Sequence, residues 1–116
     1  MVLIEKKEGI EIVRFNTDRI NALNVEEIRP AILHMFDAPH TRAIIDLSGI
    51  TYLDSSGFAM FLHLLRVARS NYCSFRFCGL TSPVKSLFGT LQLNTAFDIF
   101  PDMETCFDSY MRGGPV

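Results

Sequence analysis

The chain carries no excess of charge of either sign, with 11 Lys and Arg against 13 Asp and Glu and a formal net charge of −2. A basic surface for nucleic acid or anionic membranes is therefore not expected, and no direct nucleic-acid partner is assigned. Cysteines are few and odd in number, Cys73, Cys78 and Cys106, and no two are spaced C-x-x-C. His34, His40 and His63 lie far from them in sequence, which gives little support to a structural zinc site, so no metal and no cofactor are assigned. No basic segment followed by a long apolar stretch opens the chain. The longest apolar run, Phe58 to Leu65, is broken by His63 and falls far short of the ~20 residues of a membrane span. We therefore expect a cytoplasmic, reduced protein without membrane insertion. Internal repeats, linkers and low-complexity segments are also missing. What is present is 116 residues, 48% hydrophobic and 21% charged, which suits one globular domain able to bury an ordinary core.

Val2-Leu3-Ile4 and Ile10-Glu11-Ile12-Val13-Arg14-Phe15 flank Lys6-Lys7-Glu8-Gly9 and predict an opening β-hairpin. Asn24 with Glu27 three residues on predicts a capped helix start, and a helix from about Val25 to Phe36 bent or distorted at Pro30. Ala43-Ile44-Ile45-Asp46-Leu47 is β-branched with apolar residues for both faces, as in a central strand. After a loop over Ile50 to Asp54, the proline-free segment from Ser55 to about Tyr72 places Phe58, Phe61, Leu62, Leu65 and Ala68 at helical spacing. Ser74 to Cys78 predicts a strand ending at Gly79. Ser82-Pro83 then opens a helix to about Leu91, with Ser82 as its N-cap. Phe97 to Phe100 predicts a last strand, and Pro101-Asp102 opens a terminal helix. One domain over residues 1–112 with a frayed tail at 113–116 follows. Strands alternating with helices imply an α/β fold, a mixed sheet packed by helices with largely parallel pairing.

Asp54-Ser55-Ser56-Gly57 lies where the loop after a central strand enters a helix, the position at which open α/β sheets hold their sites. A helix N-terminus favours an anion, including a phosphate on serine, so the two hydroxyls form a candidate phosphorylation site. Plain helix capping by Asp54 or Ser55, with Gly57 allowing close packing, is an equal reading of the same residues.

The run Asp46-Leu47-Ser48-Gly49-Ile50-Thr51-Tyr52-Leu53-Asp54-Ser55-Ser56-Gly57-Phe58 closely resembles the signature of STAS domains, the anti-sigma-factor antagonists of bacterial partner switching. The likeness continues through Phe75 to Phe88, including Thr81-Ser82-Pro83-Val84. It implies a mixed four-to-five-stranded sheet with helices mainly on one face. It also implies a partner that is both anti-sigma factor and serine protein kinase, a metal-dependent serine phosphatase, and binding only in the unmodified state. Carried onto this chain, the phosphoacceptor is Ser56, with Ser55 as the alternative. Asp54, Ser55, Ser56, Gly57 and Phe58 form the partner surface, joined by Met60 and Asn21. Where many relatives have Leu-Asp, this chain has Ile20-Asn21-Ala22-Leu23-Asn24. That neutral amide keeps a second reading open, a STAS module serving as accessory subunit of a transport or signalling complex. Tyr72-Cys73-Ser74 stands in place of the family's glycine-rich turn. A homodimer is left open.

Met60, Leu64 and Val67 form a second apolar row on the long helix, either core or partner-facing, with burial the better supported for the row. His34 and His63 read as solvated histidines. A serine hydrolase with Ser56 as nucleophile and one of them as base lacks the Gly-x-Ser-x-Gly elbow, so no enzymatic activity is assigned.

Overall fold

β1 (Val2–Lys7) and β2 (Ile10–Phe15) pair antiparallel, joined by Glu8 and Gly9. Both turn residues have positive φ, 50° and 82°, the backbone that a two-residue hairpin loop matched to strand twist requires. The expected four-residue connection is thus shorter, with Lys6 and Lys7 inside the strand. The remaining elements of the computed structural model, which describes residues 1–112, are β3 (Arg19–Ile20), α1 (Val25–Leu33), β4 (Arg42–Asp46), β5 (Tyr52–Leu53), α2 (Ser55–Ser70), β6 (Ser74–Cys78), α3 (Ser82–Thr90), β7 (Ile99–Phe100) and α4 (Met103–Arg112). The tail at 113–116 lies outside the described residues.

Five strands form one sheet in the order β1-β2-β4-β6-β7, parallel except for β1. β4 is its middle strand, and Ala43, Ile44 and Ile45 are all fully buried because helices cover both faces. On one face Val13, Ala43, Ile45, Phe75 and Phe77 pack under α1, α2 and α3. The Phe77 ring meets those of Phe61, Phe75, Phe88 and Phe97 edge-on at centroid distances of 4.9–5.5 Å, a geometry that adds about 0.5–1.5 kcal/mol per pair beyond burial. On the other face, among the described residues, α4 covers Ile10, Ile44 and Cys78 with Cys106 and Tyr110. There the Arg76 guanidinium lies 4.0 Å over the Tyr110 ring, and the Tyr110 hydroxyl donates to the Ala43 carbonyl at 3.0 Å. Burial pushes that phenol above the ordinary tyrosine value. All three cysteines are free and buried.

Several sequence expectations are corrected. α1 passes through Pro30 in α-geometry to Leu33 and then tightens to a 3-10 turn over His34–Asp37, so the helix to Phe36 is two pieces. Thr81, one residue earlier than expected, takes the N-cap of α3, while its hydroxyl donates to the Ile50 carbonyl at 2.7 Å. The last strand shortens to Ile99–Phe100, since Phe97 turns into the core. On α2, Leu62 is 39% exposed, and the buried arc is Gly57, Phe58, Met60, Phe61, Leu64 and Ala68. β3 and β5 were not anticipated. Two residues each, they form a separate parallel pair beside the main sheet, too short to show any alternation.

Candidate functional site

The site grows out of the β3–β5 pair. Arg19 lies opposite Tyr52 and Ile20 opposite Leu53, and the Asp54 N–H continues the pairing by donating to the Ile20 carbonyl at 3.3 Å. Two loops, 21–24 and 54–57, are thereby brought side by side. Asp54 then joins them. Its Oδ1 accepts from the Ser56 and Gly57 N–H groups at 2.9 and 3.2 Å, closing the first turn of α2, while Oδ2 accepts from the Ala22 N–H at 3.1 Å. One carboxylate thus serves as helix cap and as brace for the neighbouring loop, and it satisfies donors that the helix itself leaves open.

Gly57 is required by space. A Cβ on it would lie 2.3 Å from Leu53 Cδ1 and 3.2 Å from Ile20 Cγ2, so the bare backbone lets α2 sit directly on the β3–β5 pair. Ser55 is exposed and Ser56 half-exposed, at the first and second positions of the helix. Both stand at the positive end of the α2 dipole, which favours negative charge, although the Ser56 and Gly57 N–H groups are already taken by Asp54.

The 21–24 loop is tied down by its own asparagines. Asn24 is 8% exposed; its Oδ1 accepts from the Asn21 N–H at 2.9 Å and its Nδ2 donates to the Arg19 carbonyl at 2.9 Å. The expected capping box is therefore not formed. Asn24 occupies the N-cap position of α1 without capping it, because the same side chain is committed to the loop. Asn21 Oδ1 accepts from the Leu23 N–H at 2.9 Å.

Of the residues expected at the partner surface, Asp54, Ser55, Ser56 and Asn21 are gathered around this junction with accessible surface. Gly57, Phe58 and Met60 are not on the surface. Phe58 is 8% exposed and packs on the Phe88 ring at 5.7 Å. Met60 is fully buried among core residues that α1 and the sheet supply, so it belongs to the core rather than to a docking surface. Leu23, 94% exposed, was missed. Its setting between asparagines gave no periodicity from which exposure could be read. His63 stands seven residues after Ser56, about 10 Å along the helix axis, beyond reach of its hydroxyl. His34 pairs with an acid three residues on, its Nδ1 and Asp37 Oδ2 lying 2.7 Å apart, both exposed. Among the described residues no group of three or more His, Cys, Asp or Glu could hold a metal ion, and no helix is long and apolar enough to cross a membrane.

The family model for the STAS domain matches residues 1–106. No curated protein sequence matches the chain. Among solved structures, an anti-sigma factor antagonist from Mycobacterium paratuberculosis superposes with a TM-score of 0.82 at 18% identity, covering 94% of this chain and 92% of that one. The anti-sigma factor antagonist SpoIIAA in its unphosphorylated form gives 0.78 at 19% identity, with both chains covered in full. The murine Slc26a9 anion transporter gives 0.73 at 15% identity over 89% of this chain and 18% of the transporter. At these identities the likeness is one of fold.

Proposed function

Because the chain belongs to the STAS domain family, we propose that it is an anti-sigma-factor antagonist. Unmodified, it binds an anti-sigma factor that is also a serine kinase; phosphorylated on Ser56, it releases that partner, and sigma-factor-dependent transcription follows the switch. The observation that carries this reading is the start of α2, where an accessible serine stands on a helix N-terminus whose geometry Asp54 and Gly57 already hold in place. The kinase moves the γ-phosphoryl of ATP to Ser56 Oγ: the O–P bond forms, ADP leaves, and the hydroxyl proton departs. The product carries roughly −1.5 to −2 additional charge. In the free protein the helix N-terminus eases that charge. Against a partner it must be desolvated, so the complex separates. A metal-dependent serine phosphatase restores the hydroxyl. Asp54 acts by holding the turn rather than as a nucleophile, and the chain performs no catalysis itself. The switch operates in the cytoplasm, with Ser55 as the alternative acceptor.

The test is incubation with each purified anti-sigma-factor serine kinase of the source genome and Mg·ATP, followed by intact-mass measurement and peptide mapping. One phosphate on Ser56 is expected. Ser56→Ala should abolish it and keep binding, while Ser56→Asp should weaken binding at least about tenfold, an uncompensated interfacial charge costing more than about 1.4 kcal/mol. Transfer by none of the kinases would overturn the proposal. Two observations favour a second reading, an accessory module of a transport or signalling complex: the likeness to a domain of an anion transporter and the amide Asn21 in place of an acid. Co-purification with transporter subunits instead of a kinase would support it.

A further inference from the structure

Leu23 is 94% exposed, more than any other large apolar side chain among the described residues. A lone leucine on a surface is ordinary; this one differs in how it is held. Its own N–H donates to Asn21 Oδ1, the preceding Ala22 N–H donates to Asp54 Oδ2, and the following Asn24 is buried and bonded to both Asn21 and Arg19. Four hydrogen bonds from side chain to backbone therefore hold a four-residue loop whose largest apolar side chain faces solvent. These bonds fix the backbone from which the Leu23 side chain projects. The loop is fastened to the same carboxylate that closes the serine-bearing turn.

We propose that Leu23 is the apolar anchor through which the serine-kinase partner docks over Ser56. The inference rests on the reading of Ser56 as phosphoacceptor. A kinase that modifies this serine must bring its nucleotide against Ser56 Oγ. A specific interface of about 800 Å² per partner reaches roughly 15 Å from its centre. The 21–24 loop, bonded to Asp54 two residues before Ser56, lies within that footprint. The occupant is an apolar pocket of the kinase beside its nucleotide site. Leu23 makes little contact within its own protein, so nearly all of its apolar surface is available for burial by that partner.

The experiment measures affinity for the purified serine kinase and steady-state phosphorylation of Ser56, using the full chain, Leu23→Asn, and Tyr72→Ser as control. Tyr72 is also strongly exposed, at 77%, but precedes β6 at the opposite end of the parallel strands. Leu23→Asn should weaken binding about 10- to 100-fold, the range expected for losing one buried leucine, and should raise KM with kcat unchanged. Its melting temperature should match that of the unaltered chain, and Tyr72→Ser should bind normally. If the unaltered chain is bound and phosphorylated while Leu23→Asn stays within twofold of it, the anchor is overturned and the phosphoswitch stands. Equal weakening by both variants also overturns the anchor. If no serine kinase binds or modifies the unaltered chain, both readings fall together.

Discussion

At its first turn α2 is closed by a side chain, the Asp54 carboxylate accepting from Ser56 and Gly57 N–H groups. At its last turn the closing bonds come from the backbone of the following residues, the Cys73 N–H returning to the Ala68 carbonyl at 2.8 Å and the Tyr72 N–H to Arg69 at 3.3 Å, with the Ser70 hydroxyl donating to the Val67 carbonyl at 2.8 Å. The two backbone bonds are those of a Schellman ending, which needs a left-handed residue between helix and strand. Tyr72 fills that place at φ 59°, where glycine is usual. It stacks on His40, itself at φ 64°, with centroids 5.7 Å apart. Burial of Cys73 and Ala68 beneath the turn fixes the backbone path regardless of the strain. One end of the helix is thus held without strain and presents the serines, while the other accepts an unfavourable backbone. The serine-bearing end has its hydrogen bonds in place in the chain by itself.

Gly57→Val should break the contrast most severely. It drives a branched side chain into Leu53 and Ile20, and an overpacked contact of this kind costs about 1–3 kcal/mol, measurable as a lowered denaturant midpoint with the slope preserved. Asp54→Ala should come next, at about 1–2 kcal/mol for a lost N-cap. Because the same carboxylate braces the neighbouring loop, exchange of the Ala22 amide should accelerate together with that of Gly57. Protection lost at Gly57 alone would show that the two loops are not coupled through Asp54. Tyr72→Gly has the smallest expected effect and the opposite sign. Relief of the left-handed strain, offset by glycine's greater freedom when unfolded, should stabilise the fold by about 0.5–1 kcal/mol. A lowered melting temperature would mean that the stack on His40 outweighs the strain.

The main architecture was readable because its signals are local. Ala43, Ile44 and Ile45 announced a strand buried on both faces, Gly79 the end of β6, and the proline-free run after Asp54 the long helix. The short pair β3–β5 was not readable, since two residues carry no period and only the distant partner strand makes them strands. Asn24 misled for a related reason. Its spacing to Glu27 matched a cap, but an amide can serve either its own helix or a neighbouring loop, and the local pattern does not distinguish the two. Leu62 left the expected stripe while Met60 and Leu64 of the second row are buried, because the long helix is covered from two directions, by the sheet and by α1, which shifts the buried arc around the axis.

The order of strands and helices, the position of Asp54-Ser55-Ser56-Gly57 at a helix start and the resemblance to STAS domains were all present in the sequence, because each depends on residues near one another in the chain. Three features were decided only by tertiary structure: the bridge from Asp54 to Ala22 across 32 positions, the exposure of Leu62 and the exposure of Leu23. Each depends on which segment packs against which. Hydrogen-bond partners and burial are properties of that packing, and a side chain's chemistry alone does not carry them.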